Sequence, residues 1–242
     1  IQDFDLLNLL FSFLSKLNPK KYFLNSTQIV LKLIISFFIY IFKKEICIIC
    51  KIRYKRLKME YRYIGKTGLR VSSICMGTMT FGSSTSKDEA FKILDKSYDR
   101  GINFFDTAEL YPVSPKKETI GNTEKIVGEW LKTKPRDSVI LATKIAGAAS
   151  GWFVPPVRHG LTAIDSFHIK KAIEDSLRRL QTDYIDLYQM HWPDTIVPIE
   201  ESLKAFDALV KEGKVRYIGT SNDSAYGLTK ANEISKYKGY SR

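Results

Sequence analysis

The sequence predicts an α/β protein built on a parallel sheet with helices packed against it, most simply a (β/α)8 TIM barrel of which about five βα units are present. Three observations carry this. Strand-like and helix-like segments alternate five times from residue 74 onward. The strand segments are almost continuously apolar, as strands buried on both faces must be. The first strand-to-helix turn, residues 77–82, lacks the G-x-G-x-x-G spacing of a doubly wound dinucleotide fold, which places the barrel ahead of that alternative.

The elements follow in order. Residues 61–64 and 69–71 flank GKTG and read as a short hairpin with its glycines in the turn. The GKT triplet is no phosphate loop, because Glu60 stands where that motif needs its first glycine. The first βα unit pairs a strand over 74–77 with a helix over 87–100 that buries Ala90, Phe91, Leu94 and Tyr98 and stops at Gly101. A strand over 103–106 and a helix near 122–132, burying Val127, Trp130 and Leu131, form the second. The third strand covers 139–144. Its return loop, 145–165, holds Gly147, Gly151, Trp152, Phe153, Pro155 and Pro156 and has the length of a functional lid. The following helix, 169–180, carries a full apolar or small stripe at 169, 172, 173, 176, 177 and 180. Residues 182–193, TDYIDLYQMHWP, form the fourth strand, in which alternation puts Ile185, Leu187, Gln189 and His191 on one face. A helix over 203–210, a fifth strand over 215–221 and a helix over 225–236 complete the series.

Residues 1–58 differ in texture: they contain no glycine and one proline, and hold 11 Lys or Arg against 3 acidic residues. They account for most of the net charge of +12, since 27 basic and 23 acidic residues remain over 59–242. With no basic patch interleaved with aromatics in that remainder, nucleic-acid binding is not expected. The apolar run 29–42 falls short of the roughly 20 residues a spanning helix needs. A membrane-surface helix, a degenerate anchor and a leader outside the working protein are the readings for 1–58, the last favoured. Cys47 and Cys50 form a lone CxxC, better read as burial than as a metal or redox site, and no metal site is expected. Three cysteines make no disulfide framework and fit a reducing, cytoplasmic compartment.

In a parallel α/β fold, groups at the C-terminal ends of the strands converge on one site. Asp106 closes the second strand, Lys144 the third, His191 the fourth, and Ser221 with Asn222 the fifth, while Tyr111 lies five residues past Asp106. Each has a plain structural reading taken singly: Asp106 as a loop cap, Lys144 as a solvated charge, Tyr111 as packing, His191 as the cap of a buried strand. Polar groups at successive strand ends form a constellation.

FFDTAELYPV, VILATKI, TDYIDLYQMHWP and VRYIGTSN resemble, in order and spacing, the motifs of the aldo-keto reductase family, over about residues 59–238. The details GTMTFG and AELYPV resemble its open-chain bacterial and eukaryotic branch near the potassium-channel β subunits. The resemblance implies NADPH-dependent reduction of an aldehyde or ketone at the open end of a barrel. It implies Asp106, Tyr111, Lys144 and His191 as the catalytic tetrad, with Thr78, Met79, Asp106, Ser221 and Asn222 at the cofactor. In that chemistry Tyr111 is the general acid, Lys144 lowers its pKa, Asp106 orients Lys144, and His191 hydrogen-bonds the substrate oxygen. The partner is a small carbonyl compound, and the aromatic 145–165 loop favours apolar or aromatic ones. By the family pattern three βα units lie beyond the fifth helix, so an incomplete barrel is expected. The competing expectations are a non-catalytic, cofactor-sensing subunit of a membrane protein, for which 1–58 is the support, and an inactive fragment.

Overall fold

A computed structural model describes residues 59–149 and 153–242. The expectations for 1–58, the Cys47/Cys50 pair among them, and those for Gly151 and Trp152 lie outside the described residues. The barrel sheet consists of β3 (Cys75–Gly77), β4 (Phe104–Asp106), β5 (Ile140–Ile145), β6 (Ile185–Met190) and β7 (Val215–Thr220), all parallel and hydrogen-bonded in that order. The antiparallel pair β1 (Tyr61–Tyr63) and β2 (Arg70–Ser72) forms the predicted hairpin, with Tyr61 opposite Ser72 and Gly65 at φ 52° in the turn. Five helices alternate with the strands: α1 (Lys87–Asp99), α2 (Asn122–Leu131), α3 (Ser166–Leu180), α4 (Ile199–Lys211) and α5 (Ala225–Lys238). This is the architecture of an incomplete (β/α)8 barrel, and among the described residues β3 and β7 each pair on one side only. No helix among the described residues is long and apolar enough to cross a membrane.

Apolar stripes of the helices pack on the outer face of the sheet. Phe105, Leu141 and Tyr188 from the strands meet Trp130, Ile173 and Phe206 from the helices, each fully or almost fully buried. Burial of side chains of this size contributes about 1.5–3 kcal/mol each, which explains why marginal helices form here at all. Phe91 and Tyr98, expected in the core, are half-buried at its margin. Helices α2 and α3 approach closely at Gly128, where a Cβ would stand 2.5 Å from the Arg179 carbonyl oxygen.

Helix starts account for most differences from the predicted boundaries. Helix α3 begins at Ser166, three residues before the apolar stripe, because the Asp165 side chain accepts from the His168 amide and caps the added turn. Helix α4 begins right after Pro198, which supplies the fixed φ that a helix entrance tolerates. At α1 the Ser86 and Glu89 side chains form a reciprocal capping box.

The hairpin sits under the N-terminal end of the barrel. Leu69 and Val71 are buried against Ile140, with Phe104, Leu187 and Tyr217 around them. Asn103 ties it down, accepting from the Ser72 amide and donating to the Arg70 carbonyl. Nearby, buried Asp186 accepts from Arg136 at 2.8 Å, from Arg216 at 2.6 Å and from the Leu141 amide at 3.0 Å. Every oxygen of that carboxylate is occupied, so this end of the barrel is closed both apolarly and ionically.

Candidate active site

Strand register sets the levels at the opposite end. Gly77, Asp106 and Ala142 are neighbours across β3, β4 and β5, and one pleat higher Lys144, Gln189 and Gly219 align across β5, β6 and β7. Asp106 therefore ends its strand one side-chain length below Lys144. The Lys144 ammonium reaches down to the Asp106 carboxylate at 2.5 Å and to the Thr107 carbonyl at 2.9 Å. Lys144 is 5% exposed, so this charge is held in place by partners and not by water.

Tyr111 is carried by the loop after β4, whose backbone is pinned at both sides. The Glu109 amide donates to the Lys144 carbonyl, the Val113 amide to the Met79 carbonyl, and the Gly121 amide to the Tyr111 carbonyl. These bonds place the Tyr111 ring 5.2 Å from the Lys144 ammonium, measured to the ring centroid, and edge-on to His191 with centroids 5.6 Å apart. The His191 amide continues the β5–β6 ladder by donating to the Ile145 carbonyl. The structure thus brings together Asp106, Tyr111, Lys144 and His191, which are 85 residues apart in sequence from first to last.

The electrostatics differ from one expectation. Lys144 was expected to draw the Tyr111 phenol below its ordinary value. Instead burial, and then the Asp106 charge, push it up to about 12. Burial is the larger cause, and the ion pair adds to it: with its carboxylate 2.5 Å from the ammonium, Asp106 offsets the field that Lys144 would exert on the phenol. His191 moves the other way, down to about 4, by burial first and by Lys144 second. Its imidazole is neutral at pH 7, and its Nδ1 has no hydrogen-bond partner among the described residues.

A cavity of about 310 Å3 opens in front of Tyr111 and His191, walled by Leu110, Val113, Pro115, Phe153 and Trp192. Its walls are almost wholly apolar. Trp192 lies over Gly147, where a Cβ would stand 2.3 Å from the indole nitrogen, and that nitrogen donates to the Ala148 carbonyl at 3.1 Å. Phe153, from the expected lid, packs edge-on to Trp192.

The expected cofactor residues occupy three settings. Asn222 is exposed, holds a left-handed backbone at φ 54°, and donates to the His191 carbonyl at 2.8 Å and to Ser221 Oγ at 3.1 Å. Met79 is half-exposed. Thr78 is fully buried, and its hydroxyl donates to the Asp106 carbonyl, so it supports the end of β4.

Three contacts escaped the sequence. Gln189 donates to the free Asp106 oxygen at 3.3 Å; alternation had put it on the His191 face, which was the available signal. Trp192 directly follows His191, but its side of the strand is set by the turn after β6. Glu109 lies inside the DTAELYPV motif and pairs with Arg158, 49 residues away, for which the sequence carries no signal.

The sequence profile of the Aldo/keto reductase family matches residues 73–241. The chain is 44% identical over 175 residues to the uncharacterized oxidoreductase YrpG of Bacillus subtilis, a match covering 72% of this chain and 52% of that protein. It is 37% identical to norsolorinic acid reductase B of Aspergillus parasiticus, over 76% of this chain and 48% of that one. A thermostable aldo-keto reductase solved with the inhibitor epalrestat superposes with a TM-score of 0.61 at 29% identity, over 73% of this chain and 58% of the other. The chain spans about half the length of the curated relatives it matches. The chain belongs to the aldo/keto reductase family.

Proposed function

We propose that residues 59–242 carry the tyrosine-centred half of a carbonyl-reducing site, acting on aldehydes or ketones with NADPH, and that residues 1–58 are a separate segment outside it. The observation that carries this reading is one grouping: the Lys144 ammonium between the Asp106 carboxylate and the Tyr111 ring, with neutral His191 edge-on to that ring at the mouth of an apolar cavity.

The residues present suit a nicotinamide. Ser221, Asn222 and Gln189 offer hydroxyl and amide groups on one rim, the donor and acceptor types that a carboxamide needs, and Met79 offers an apolar edge on the far side of Asp106. Those residues would hold it, with Thr78 keeping the Asp106 strand end in place. When bound, the cofactor supplies a hydride to the carbonyl carbon.

The chain's own residues manage the charge that then grows on oxygen. Neutral His191 keeps one ring N–H, which it donates to that oxygen. Tyr111 gives its proton to the same atom, and at about 12 its phenol is fully protonated at neutral pH. Gln189 holds the other Asp106 oxygen, and a shift of Asp106 toward Gln189 uncovers the Lys144 charge to stabilise the phenolate left behind. The apolar walls, Phe153 and Trp192 among them, favour an aromatic or other apolar carbonyl compound and keep water from the reacting oxygen. GTMTFG and AELYPV support a place in the open-chain branch near the potassium-channel β subunits.

The test is the Tyr111→Phe variant in NADPH-dependent reduction of an aromatic aldehyde. Loss of a general acid of this kind costs about 10²–10⁴ in rate. The expected result is a fall in kcat of that size with NADPH affinity, read by fluorescence titration, within about twofold. Unchanged turnover would remove Tyr111 from the mechanism.

A further inference from the structure

We propose that Glu109 and Arg158 are positioning residues that fix the Tyr111 loop relative to Lys144; this rests on the carbonyl-reducing reading for its chemistry but not for its geometry. Glu109 is 2% exposed and stands two residues before Tyr111. It is bound on three sides. Its backbone amide donates to the Lys144 carbonyl at 3.2 Å, its Oε1 accepts from the Ala146 amide at 2.6 Å, and both carboxylate oxygens accept from the Arg158 guanidinium at 2.7 and 2.8 Å. One residue thereby joins the strand end bearing Lys144 to the turn bearing Tyr111, from both its backbone and its side chain.

The arrangement at Arg158 shows what is given up to obtain this. Arg158 and His159 both adopt left-handed backbone, at φ 46° and 55°, followed by Gly160 at 77°. Adjacent non-glycine residues in that region persist only when their surroundings over-determine them. The bidentate pair with Glu109 is the contact that does so. Arg158 Nε is also buried without a partner among the described residues, so the guanidinium meets Glu109 through its two terminal nitrogens while its Nε–H is left over.

Removing Arg158 leaves a buried carboxylate without its counter-charge. Glu109 then turns toward water, which loosens the Ala146 amide and the turn that carries Tyr111. A misplacement of about 1 Å at a reacting group costs about a hundredfold in rate.

The experiment labels the full chain with 3-fluorotyrosine and follows the Tyr111 fluorine signal, assigned through Tyr111→Phe, in the unmodified protein, Arg158→Met and Arg158→Lys. The expected result is a shifted or broadened Tyr111 signal in Arg158→Met while the signals of distant Tyr61 and Tyr98 stay in place, with Arg158→Lys lying nearer the unmodified protein because its ammonium keeps the charge and one hydrogen bond. Turnover of an aromatic aldehyde should fall about a hundredfold in kcat for Arg158→Met, with KM for NADPH within about twofold. A Tyr111 signal that stays unchanged in Arg158→Met, or one that moves only together with all other tyrosine signals, overturns the proposal. Should Arg158→Met fail to fold, the Tyr111 signal of Arg158→Lys decides in the same way: a local shift supports the proposal and none overturns it. If the unmodified protein reduces no aldehyde, the functional reading fails while the fluorine signal still decides the positioning role.

Discussion

The two ends of this sheet use the same kinds of residue in opposite ways. At the N-terminal end, Asp186 is buried with both its oxygens engaged by two arginines and a backbone amide, and the hairpin residues Leu69 and Val71 close the apolar floor. At the C-terminal end, Asp106 shares its carboxylate between Lys144 and a longer contact to Gln189, His191 Nδ1 has no partner among the described residues, and the cavity stands open. The first arrangement is saturated and has nothing left to offer a ligand. The second holds groups in position while leaving hydrogen-bonding capacity and charge unspent. Saturation marks the end that holds the fold, and incompletion marks the end to which the proposed chemistry is assigned.

Asp186→Ala attacks the saturated end. It strips the partner from Arg136 and Arg216 and leaves the buried Leu141 amide unpaired, so a loss of about 3–4 kcal/mol is expected in urea unfolding. Turnover per folded molecule should not change, because no atom of this network reaches the cavity.

The open end has its own signature in pH. His191 is held down at about 4 in the folded protein against 6.5 in the unfolded chain. Between those values the unfolded state binds a proton that the folded state refuses, so stability falls as pH drops through the window. The full shift corresponds to about 3 kcal/mol, and partial exposure of the ring trims it toward 2. Urea midpoints at pH 7 and pH 4.5 should show the fall, and His191→Gln should flatten it. A profile that is equally steep in His191→Gln would assign it to other groups.

The smallest effect belongs to neither end. Gly128→Ala puts a methyl against the Arg179 carbonyl and pushes α2 from α3, for about 1–3 kcal/mol of destabilisation in the same assay. Because Glu124 beside it takes Arg179, Ser176 and Thr143 as partners, the shift should spread into β5 and appear as faster amide exchange near Thr143.

What the sequence made legible follows the same division. Asp106, Tyr111, Lys144 and His191 could be found because strand ends converge whatever the curvature of the sheet, and four ordered motifs mark them. Gln189 was visible as a neighbour of His191 in the alternation, though its hold on Asp106 depends on the register between β5 and β6. The direction of the Tyr111 shift was missed for a related reason: whether Lys144 acts on the phenol depends on how closely Asp106 holds the ammonium, and that distance has no sequence correlate. Glu109 with Arg158, and Asp186 with Arg136 and Arg216, pair residues 30 to 50 positions apart, where nothing local announces a partner. Helix starts moved because the Asp165 cap and Pro198 act on the backbone ahead of the apolar stripe from which helices are read.

The most direct test of this account measures turnover and stability on the same two proteins. NADPH-dependent reduction of an aromatic aldehyde and the urea midpoint are recorded for the unmodified chain and for Tyr111→Phe. The account predicts reduction by the unmodified chain, a fall of about a thousandfold in the variant, and unfolding free energies within about 0.5 kcal/mol of each other. Equal turnover in the two proteins, or no reduction by the unmodified one, would contradict it.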